Sequence, residues 1–191
     1  MSVCFFDFHT HDLSAPPGRA VVSLPRGVLL CAADFVPRPG VLYSAGIHPW
    51  WTCGDTGPLF KGLEQLLERG VAVAVGECGL DRLRGAGLDV QQEIFGRQIA
   101  LAERYALPVT VHCVRAFDVL LAMHKRLRPS TRWTVHGFRG RPALARQLLA
   151  AGLDLSFGPR RHPDSFALTP PSRRHLETDG ADAGSPPFPD L

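Results

Sequence analysis

The segment VAVAVGECGLDRLRGAGLDVQQEIFGRQIALAERYALPVTVHC, residues 71–113, contains the pattern that decides the fold. Residues 71–76 are apolar and rich in β-branched side chains, which predicts a strand, and residues 108–112 predict the next strand. Between them, apolar residues recur at helical spacing from Asp89, the expected N-cap, to Tyr105. A strand, a helix and a second strand in this order predict a parallel βαβ unit.

The same pattern continues on both sides of this unit. Eight strands that alternate with helices favour a closed α/β barrel of the TIM (β/α)8 type, with an open doubly wound sheet as the alternative. The six further strands are predicted at residues 3–9, 27–33, 41–47, 133–136, 153–157 and 175–177.

The length of the chain predicts a reduced form of this barrel. TIM barrels typically need about 250 residues, whereas this chain has 191. The connections at 12–26 and 34–40 are too short or too rich in proline for good helices, and the chain ends soon after the last strand. We therefore expect a compact TIM-like barrel with several shortened connections and the last helix missing.

Composition indicates one globular domain. Hydrophobic residues make up 45% of the chain, charged residues make up 20%, and the formal net charge is +3. The five cysteines show no CxxC spacing, and no segment resembles a signal peptide or a membrane span, so we expect a cytoplasmic protein. The barrel is expected over residues 1–179, followed by an irregular or disordered tail rich in glycine and proline over 180–191.

Potential metal ligands follow nearly every predicted strand. Because the carboxyl ends of parallel barrel strands meet at one face, these side chains should converge there. Histidine and carboxylate ligands without thiolates suit Zn²⁺, Mn²⁺, Mg²⁺ or Fe²⁺, and this number of ligands exceeds one tetrahedral shell. Two divalent ions that share a bridging carboxylate are therefore expected. For the two acids, the alternative is an ion pair with a buried arginine. The candidates are His9, His11, His48, Glu77, His112, His136 and Asp179.

The ordered motifs DFHTH, GIHPW, GECGLDR, VHGFRG and LETD resemble the TatD family of metal-dependent hydrolases, in particular its short branch. This family belongs to the amidohydrolase-like TIM-barrel superfamily. The resemblance implies metal-dependent DNase activity that starts from a strand end and uses a metal-activated water.

The resemblance also implies a role for each ligand. His9 and His11 would hold one ion, His112 and His136 a second, and Glu77 would bridge the two. Asp179 would bind the first ion and exchange a proton with the attacking water. His48 would face the same pocket and contact the substrate. The implied catalytic residues are Asp179, Glu77 and His48.

Three more residues are candidates for substrate binding. The family commonly has an arginine two residues after the strand-five histidine, whereas Val114 stands there and Arg115 follows. Arg139 stands where the family usually has serine, and it could supply a bidentate phosphate contact. Trp50 could stack on a nucleobase. The alternatives are solvated arginines at a loop edge and a tryptophan packed under a loop.

Three functions are compatible with these residues. The first is a DNase, the second a small-molecule amidohydrolase or phosphoesterase that uses the same two-metal site, and the third a metal-binding scaffold with little activity. The corresponding partners are DNA or a small phosphoester. The family's proline after Asp179 and the stretch that covers the last strand are missing, so a protein partner or second subunit could cover strand eight.

Overall fold

A computed structural model describes residues 6–180. Eight parallel strands form one sheet whose spatial order follows the chain order, so the prediction of an α/β barrel is confirmed. The strands are β1 (Asp7–Thr10), β2 (Ala20–Ser23), β3 (Leu42–Ala45), β4 (Ala72–Asp81), β5 (Val109–Val114), β6 (Trp133–Val135), β7 (Asp154–Phe157) and β8 (Arg174–Leu176). The helices are α1 (Arg26–Leu30), α2 (Gly57–Glu68), α3 (Leu88–Tyr105), α4 (Phe117–Leu127), α5 (Pro142–Ala150) and α6 (Pro163–Leu168).

The first and last strands meet through the segment that follows β8. The backbone N–H of Asp179 donates to the carbonyl of His9 at 3.1 Å. The backbone N–H of Thr178 donates to Oδ1 of Asp7 at 3.0 Å, and its hydroxyl donates to Oδ2 at 2.6 Å. These bonds bring the two ends of the sheet together into a nearly closed barrel, which a doubly wound sheet would not do.

Strands β4 and β7 are almost completely buried. All four residues of β7 are buried, and in β4 only Val73 is exposed, as expected for parallel strands covered on both faces. The amphipathic helices cover the outside: α2 buries Leu59, Leu63 and Leu66. The predicted N-cap of α3 is wrong by two residues, because Gly87 is the N-cap and Asp89 lies in the first turn.

The predicted second strand at residues 27–33 is wrong. Residues Arg26–Leu30 form α1, and β2 lies at Ala20–Ser23, inside the segment expected to be a plain connection. This helix packs closely on α2, since a Cβ added to Gly62 would lie only 1.7 Å from the carbonyl oxygen of Leu29. An isolated apolar run does not distinguish a strand from a buried helix.

Several connections are short, as predicted. The β1–β2 connection contains turns and no helix, and α1 and α6 have 5 and 6 residues. Within residues 6–180 no helix follows β8, and none of the helices there is long and apolar enough to cross a membrane. Residues 181–191, which make up nearly all of the predicted tail, lie outside the described residues.

Candidate metal centre

The carboxyl ends of the strands bring the predicted ligands together at one face of the barrel. His9 lies in β1, Glu77 in β4 and His112 in β5, while the other candidates follow the ends of β1, β3, β6 and β8. They surround a cavity of about 340 Å³, which we call the first cavity. Its lining consists of His11, His48, Trp50, Trp51, Glu77, His112, His136 and Asp179.

Glu77 stands at the centre of this group, and its Oε1 atom faces three histidines. Oε1 lies 2.6 Å from Nδ1 of His112, 2.7 Å from Nε2 of His136 and 3.1 Å from Nε2 of His48. The ring nitrogens of His112 and His136 that face Glu77 are 3.5 Å apart. One carboxylate oxygen is thus shared by histidines from three different strand ends.

The Oε2 atom of Glu77 faces a second group. It lies 3.4 Å from Nε2 of His9 and 3.4 Å from Nε2 of His11. Oδ1 of Asp179 is 3.7 Å from each of these two nitrogens. The two oxygens of Glu77 therefore point to different sets of ligands, as a bridging carboxylate must do.

Glycine allows this close arrangement. A Cβ added to Gly79 would lie 2.1 Å from the carbonyl oxygen of His112. The φ angle of Gly79 is +143°, a backbone conformation that residues with a side chain rarely adopt. The ends of β4 and β5 can therefore approach closely enough for Glu77 to contact His112.

Electrostatics keep the buried carboxylate charged. Burial by itself would raise the pKa of Glu77, but the charge of His136 and the hydrogen bonds from His11, His112 and His136 hold that pKa well below its ordinary range. Burial disfavours a charged His136, yet Glu77 and Glu177 raise the pKa of His136 well above its ordinary value. Binding a divalent ion requires neutral imidazoles, so an ion would displace these protons.

The histidine set fits a metal ion. His9 is completely buried, and among residues 6–180 neither of its ring nitrogens makes a hydrogen bond. A buried polar atom without a partner is costly, and a bound ion would satisfy it. Three groups of residues could each hold an ion, because the ligand atoms within each group lie within 4.8 Å of one another. The groups are His9, His11 and Glu77; His9, His136 and Asp179; and His48, Glu77 and His112.

His48 differs from the other histidines in its hydrogen bonds. Its Nδ1 atom accepts a bond from the backbone N–H of Trp50 at 3.1 Å, so the proton of the neutral ring is on Nε2. Burial lowers the pKa of His48, which favours this neutral form. Nε2 is then a hydrogen-bond donor toward Glu77, which suits a substrate contact better than a metal ligand.

Two acids that sequence reasoning missed complete the site. Asp81 is 3% exposed, and its Oδ2 lies 3.2 Å from Nε2 of His112. Glu177 is fully buried, and its Oε1 lies 3.4 Å from Nδ1 of His136. Each of these histidines therefore has one nitrogen toward Glu77 and the other toward a second carboxylate, the arrangement that fixes metal-binding imidazoles.

Strand alternation contains the signal that would have identified Asp81. Asp81 lies four residues after Glu77 on β4. Residues separated by an even number along a strand share a face, so Asp81 should have been considered together with Glu77. Glu177 and Asp179 both follow the end of β8, where this periodicity does not apply.

Two of the three predicted substrate-binding residues line a cavity at this face of the barrel. Trp50 is 47% exposed and lines the first cavity, so it is not packed under a loop. Arg139 lines a neighbouring cavity that also contains Asp179. Arg115 is exposed and lines neither of these two cavities, while its carbonyl accepts a hydrogen bond from Arg82. The structure brings two of these three side chains to the site.

Comparisons with known proteins agree on one family. The model of the TatD related DNase family matches residues 31–187. A protein of Erwinia billingiae named 3'-5' ssDNA/RNA exonuclease TatD is 36% identical over 153 residues, which are 74% of this chain and 59% of that protein. The metal-dependent hydrolase YjjV of Escherichia coli K12, described as uncharacterized, is 36% identical over 167 residues, or 81% of this chain and 62% of that protein.

A solved structure agrees with these matches. The crystal structure of Escherichia coli YjjV, described as a TatD homolog, superposes with a TM-score of 0.76 at 29% identity. The match covers 96% of this chain and 84% of that one. The two curated relatives are matched over only about three fifths of their length, 59% and 62%.

Proposed function

This chain belongs to the family of TatD related DNases, and we propose that it is a divalent-metal-dependent hydrolase that cleaves phosphodiester bonds of DNA from a strand end. The observation that carries this proposal is the position of Glu77, whose two oxygens face two different sets of histidines at 2.6–3.4 Å. The names of the relatives, an exonuclease and a metal-dependent hydrolase, support the same reaction class.

We propose two divalent ions, Mg²⁺, Mn²⁺ or Zn²⁺. His9, His11 and Asp179 would hold one, His112 and His136 would hold the other, and Glu77 would lie between them. When bound, such ions supply a water nucleophile at neutral pH and stabilise the negative charge that develops on the phosphoryl group. The orphaned nitrogens of the buried His9 support the first of these positions.

Three side chains would take part in the reaction. Asp179 is the most exposed acid of the site, with a side chain 35% exposed, so its carboxylate can take the proton of the attacking water and pass it to solvent. Glu77 keeps its negative charge between the two sets of histidines. His48 presents an N–H that can donate to a phosphate oxygen.

Trp50 and Arg139 are the proposed substrate contacts in addition to His48. The indole of Trp50 lines the first cavity and can stack on a base. The Arg139 guanidinium can bind a phosphate through paired hydrogen bonds. Arg115 lines neither of the two cavities and is not included. A partner over β8 and a cytoplasmic location stay predictions, as do the domain limits at residue 179.

The size of the first cavity favours one alternative substrate. A volume of about 340 Å³ is at the lower end of the range for small-molecule sites. A small phosphoester or amide would therefore fit the same centre without contacts outside it. This alternative keeps the metal ions and changes only the bond that is cleaved.

The deciding experiment measures nucleotide release from end-labelled single-stranded DNA. We would compare metal-stripped protein, protein reconstituted with Mn²⁺, and the Glu77→Gln and Asp179→Asn variants. Glu64→Gln is the matched control, because Glu64 is exposed on α2. Activity that returns with Mn²⁺, survives in the control and disappears in both site variants supports the proposal.

The other outcomes are equally informative. If folded, metal-loaded protein releases no nucleotide but hydrolyses bis(p-nitrophenyl) phosphate or a cyclic amide, the small-molecule alternative is correct. Stoichiometric metal binding without hydrolysis of any of these substrates would indicate the scaffold function.

A further inference from the structure

A second cavity lies directly beside the first. It has a volume of about 430 Å³ and is bordered by the segments that follow β6, β7 and β8. Its lining includes Gly137, Arg139, Gly158 and Arg160, together with the residues from Glu177 to Gly180. Asp179 also lines the first cavity, so the two spaces are adjacent.

The acids of the second cavity are directed toward the histidines. Glu177 is fully buried, and its Oε1 accepts the backbone N–H of Gly137 and lies beside His136. Oδ1 of Asp179 lies beside His9 and His11, as described above. Both carboxylates therefore face the candidate metal centre.

The arginines of the second cavity have no such partners. Arg139 and Arg160 are both exposed, and neither makes an ion pair or hydrogen bond with any residue from 6 to 180. By contrast, Arg173 pairs with Asp154 at 2.7 Å. Two guanidinium groups on one cavity, without a partner among residues 6–180, favour an anionic ligand. The planar fork of arginine matches the oxygens of a phosphate.

Trp50 and the second cavity lie on opposite sides of the barrel. Trp50 follows β3, and its indole is bound to Asp81 at the end of β4. Arg139 and Arg160 follow β6 and β7, which lie across the eight-stranded barrel from β3 and β4. The candidate metal centre lies between these two sides.

We propose that the second cavity binds a second phosphate of the substrate, the one next to the phosphodiester that is cleaved. This inference rests on the proposed function and narrows the substrate class to oligonucleotides with at least two phosphates. A strand that crosses the candidate metal centre would place a base on Trp50 and the neighbouring phosphate between Arg139 and Arg160.

The first test is a binding measurement that does not depend on catalysis. We would measure the affinity of the full chain, without metal, for a fluorescently labelled thymidine trinucleotide over a range of KCl concentrations. The Arg139→Ala/Arg160→Ala variant is compared with Arg126→Ala/Arg146→Ala, which removes two exposed arginines of α4 and α5 and changes the net charge equally. Inorganic phosphate is the competitor that tests whether a free phosphate binds in the same place.

We expect the cavity variant to bind the trinucleotide at least tenfold more weakly. The slope of log affinity against log salt should become less steep by about 0.7, the value for one lost phosphate contact on a single strand. Phosphate should compete in the unchanged protein and not in the cavity variant. Equal losses in the two double variants, or no loss in either, would overturn the second-phosphate site.

The second test separates this site from the proposed function. With Mn²⁺, we would compare a thymidine dinucleotide, which has one phosphodiester, with the trinucleotide, which has two. The variant for this comparison is Arg160→Ala, because Arg160 lines the second cavity and is not a contact of the proposed function; it should lose at least tenfold in kcat/KM on the trinucleotide and keep its value on the dinucleotide. Hydrolysis of both substrates without this difference overturns the second phosphate site and leaves the proposed function intact. Arginine-dependent binding without hydrolysis overturns the proposed function and supports the phosphate site.

Discussion

Oδ2 of Asp81 accepts a hydrogen bond from Nε1 of Trp50 at 2.7 Å. The same oxygen lies 3.2 Å from Nε2 of His112. Burial by itself would raise the pKa of Asp81, but the bonds from Trp50, the backbone of Leu83 and His112 lower it, so the carboxylate is charged at neutral pH. One buried acid therefore orients a proposed metal ligand and a proposed base-stacking ring.

The first prediction concerns this acid and the metal. Asp81→Asn keeps the size of the side chain but removes the negative charge that faces Nε2 of His112. We expect Mn²⁺ or Zn²⁺ affinity to fall about 10- to 100-fold, the usual cost of losing a partner of a metal-binding histidine. Calorimetric titration measures this, with the exposed Asp34→Asn as control. Unchanged metal affinity would show that Asp81 does not orient His112.

The second prediction concerns Trp50. Arg84 lies over its ring at 4.4 Å from the centroid, and Asp81 fixes its edge, so the ring is held in place at the mouth of the first cavity. Trp50→Ala should weaken binding of single-stranded DNA by about 1–3 kcal/mol, the range for loss of one stacked base. Trp50→Phe, which keeps an aromatic face, should lose less. Equal affinity of all three proteins in fluorescence anisotropy would contradict a stacking role.

The convergence of the candidate ligands could be predicted from sequence because it depends on the order of the strands. An acid or histidine directly after an apolar strand is placed at the carboxyl end, and a barrel collects those ends at one face. His9, Glu77 and His112 were found in this way. Asp81 was missed although it shares a face of β4 with Glu77. Glu177 was missed because its position beside Nδ1 of His136 is a property of the folded backbone after β8.

The error at the second strand has a different cause. The run that forms α1 and the run that forms β2 are both short and apolar, so periodicity does not separate them. The outcome depends on contacts with distant residues. Arg69, for example, donates to the carbonyls of Ala32 and Phe35 just beyond α1 and ties this segment to the end of α2.

The third prediction concerns the pH dependence of stability. Hydrogen bonds from Ser130 and Thr131 lower the pKa of Glu103 from 4.5 to about 2. A carboxyl group with a lowered pKa in the folded protein stabilises the fold above its unfolded pKa, and this contribution is lost as pH falls toward the folded pKa. Because solvent screens this partly exposed carboxylate, Glu103→Gln should lower the free energy of unfolding at pH 7 by only about 1 kcal/mol. The difference should shrink between pH 4.5 and about 2.

Urea unfolding of the metal-free protein at several pH values measures this difference. Glu93→Gln is the control, since Glu93 lies on the same helix and is exposed. A difference between Glu103→Gln and the original protein that stays constant down to pH 3 would contradict the assignment.

The fourth prediction tests the packing of α1 on α2. Gly62→Ala would place a Cβ 1.7 Å from the carbonyl oxygen of Leu29, so the two helices must move apart. We expect a loss of about 1–3 kcal/mol in the free energy of unfolding, the usual cost of overpacking.

Gly96→Ala is the matched control, because Gly96 lies inside α3 and a Cβ there meets nothing within 4 Å. This control should gain about 0.5–1 kcal/mol, since alanine is the better helix former. Because both changes replace glycine by alanine within a helix, the difference between them in urea unfolding isolates the contact with Leu29. Equal effects of the two substitutions would mean that α1 does not lie against Gly62.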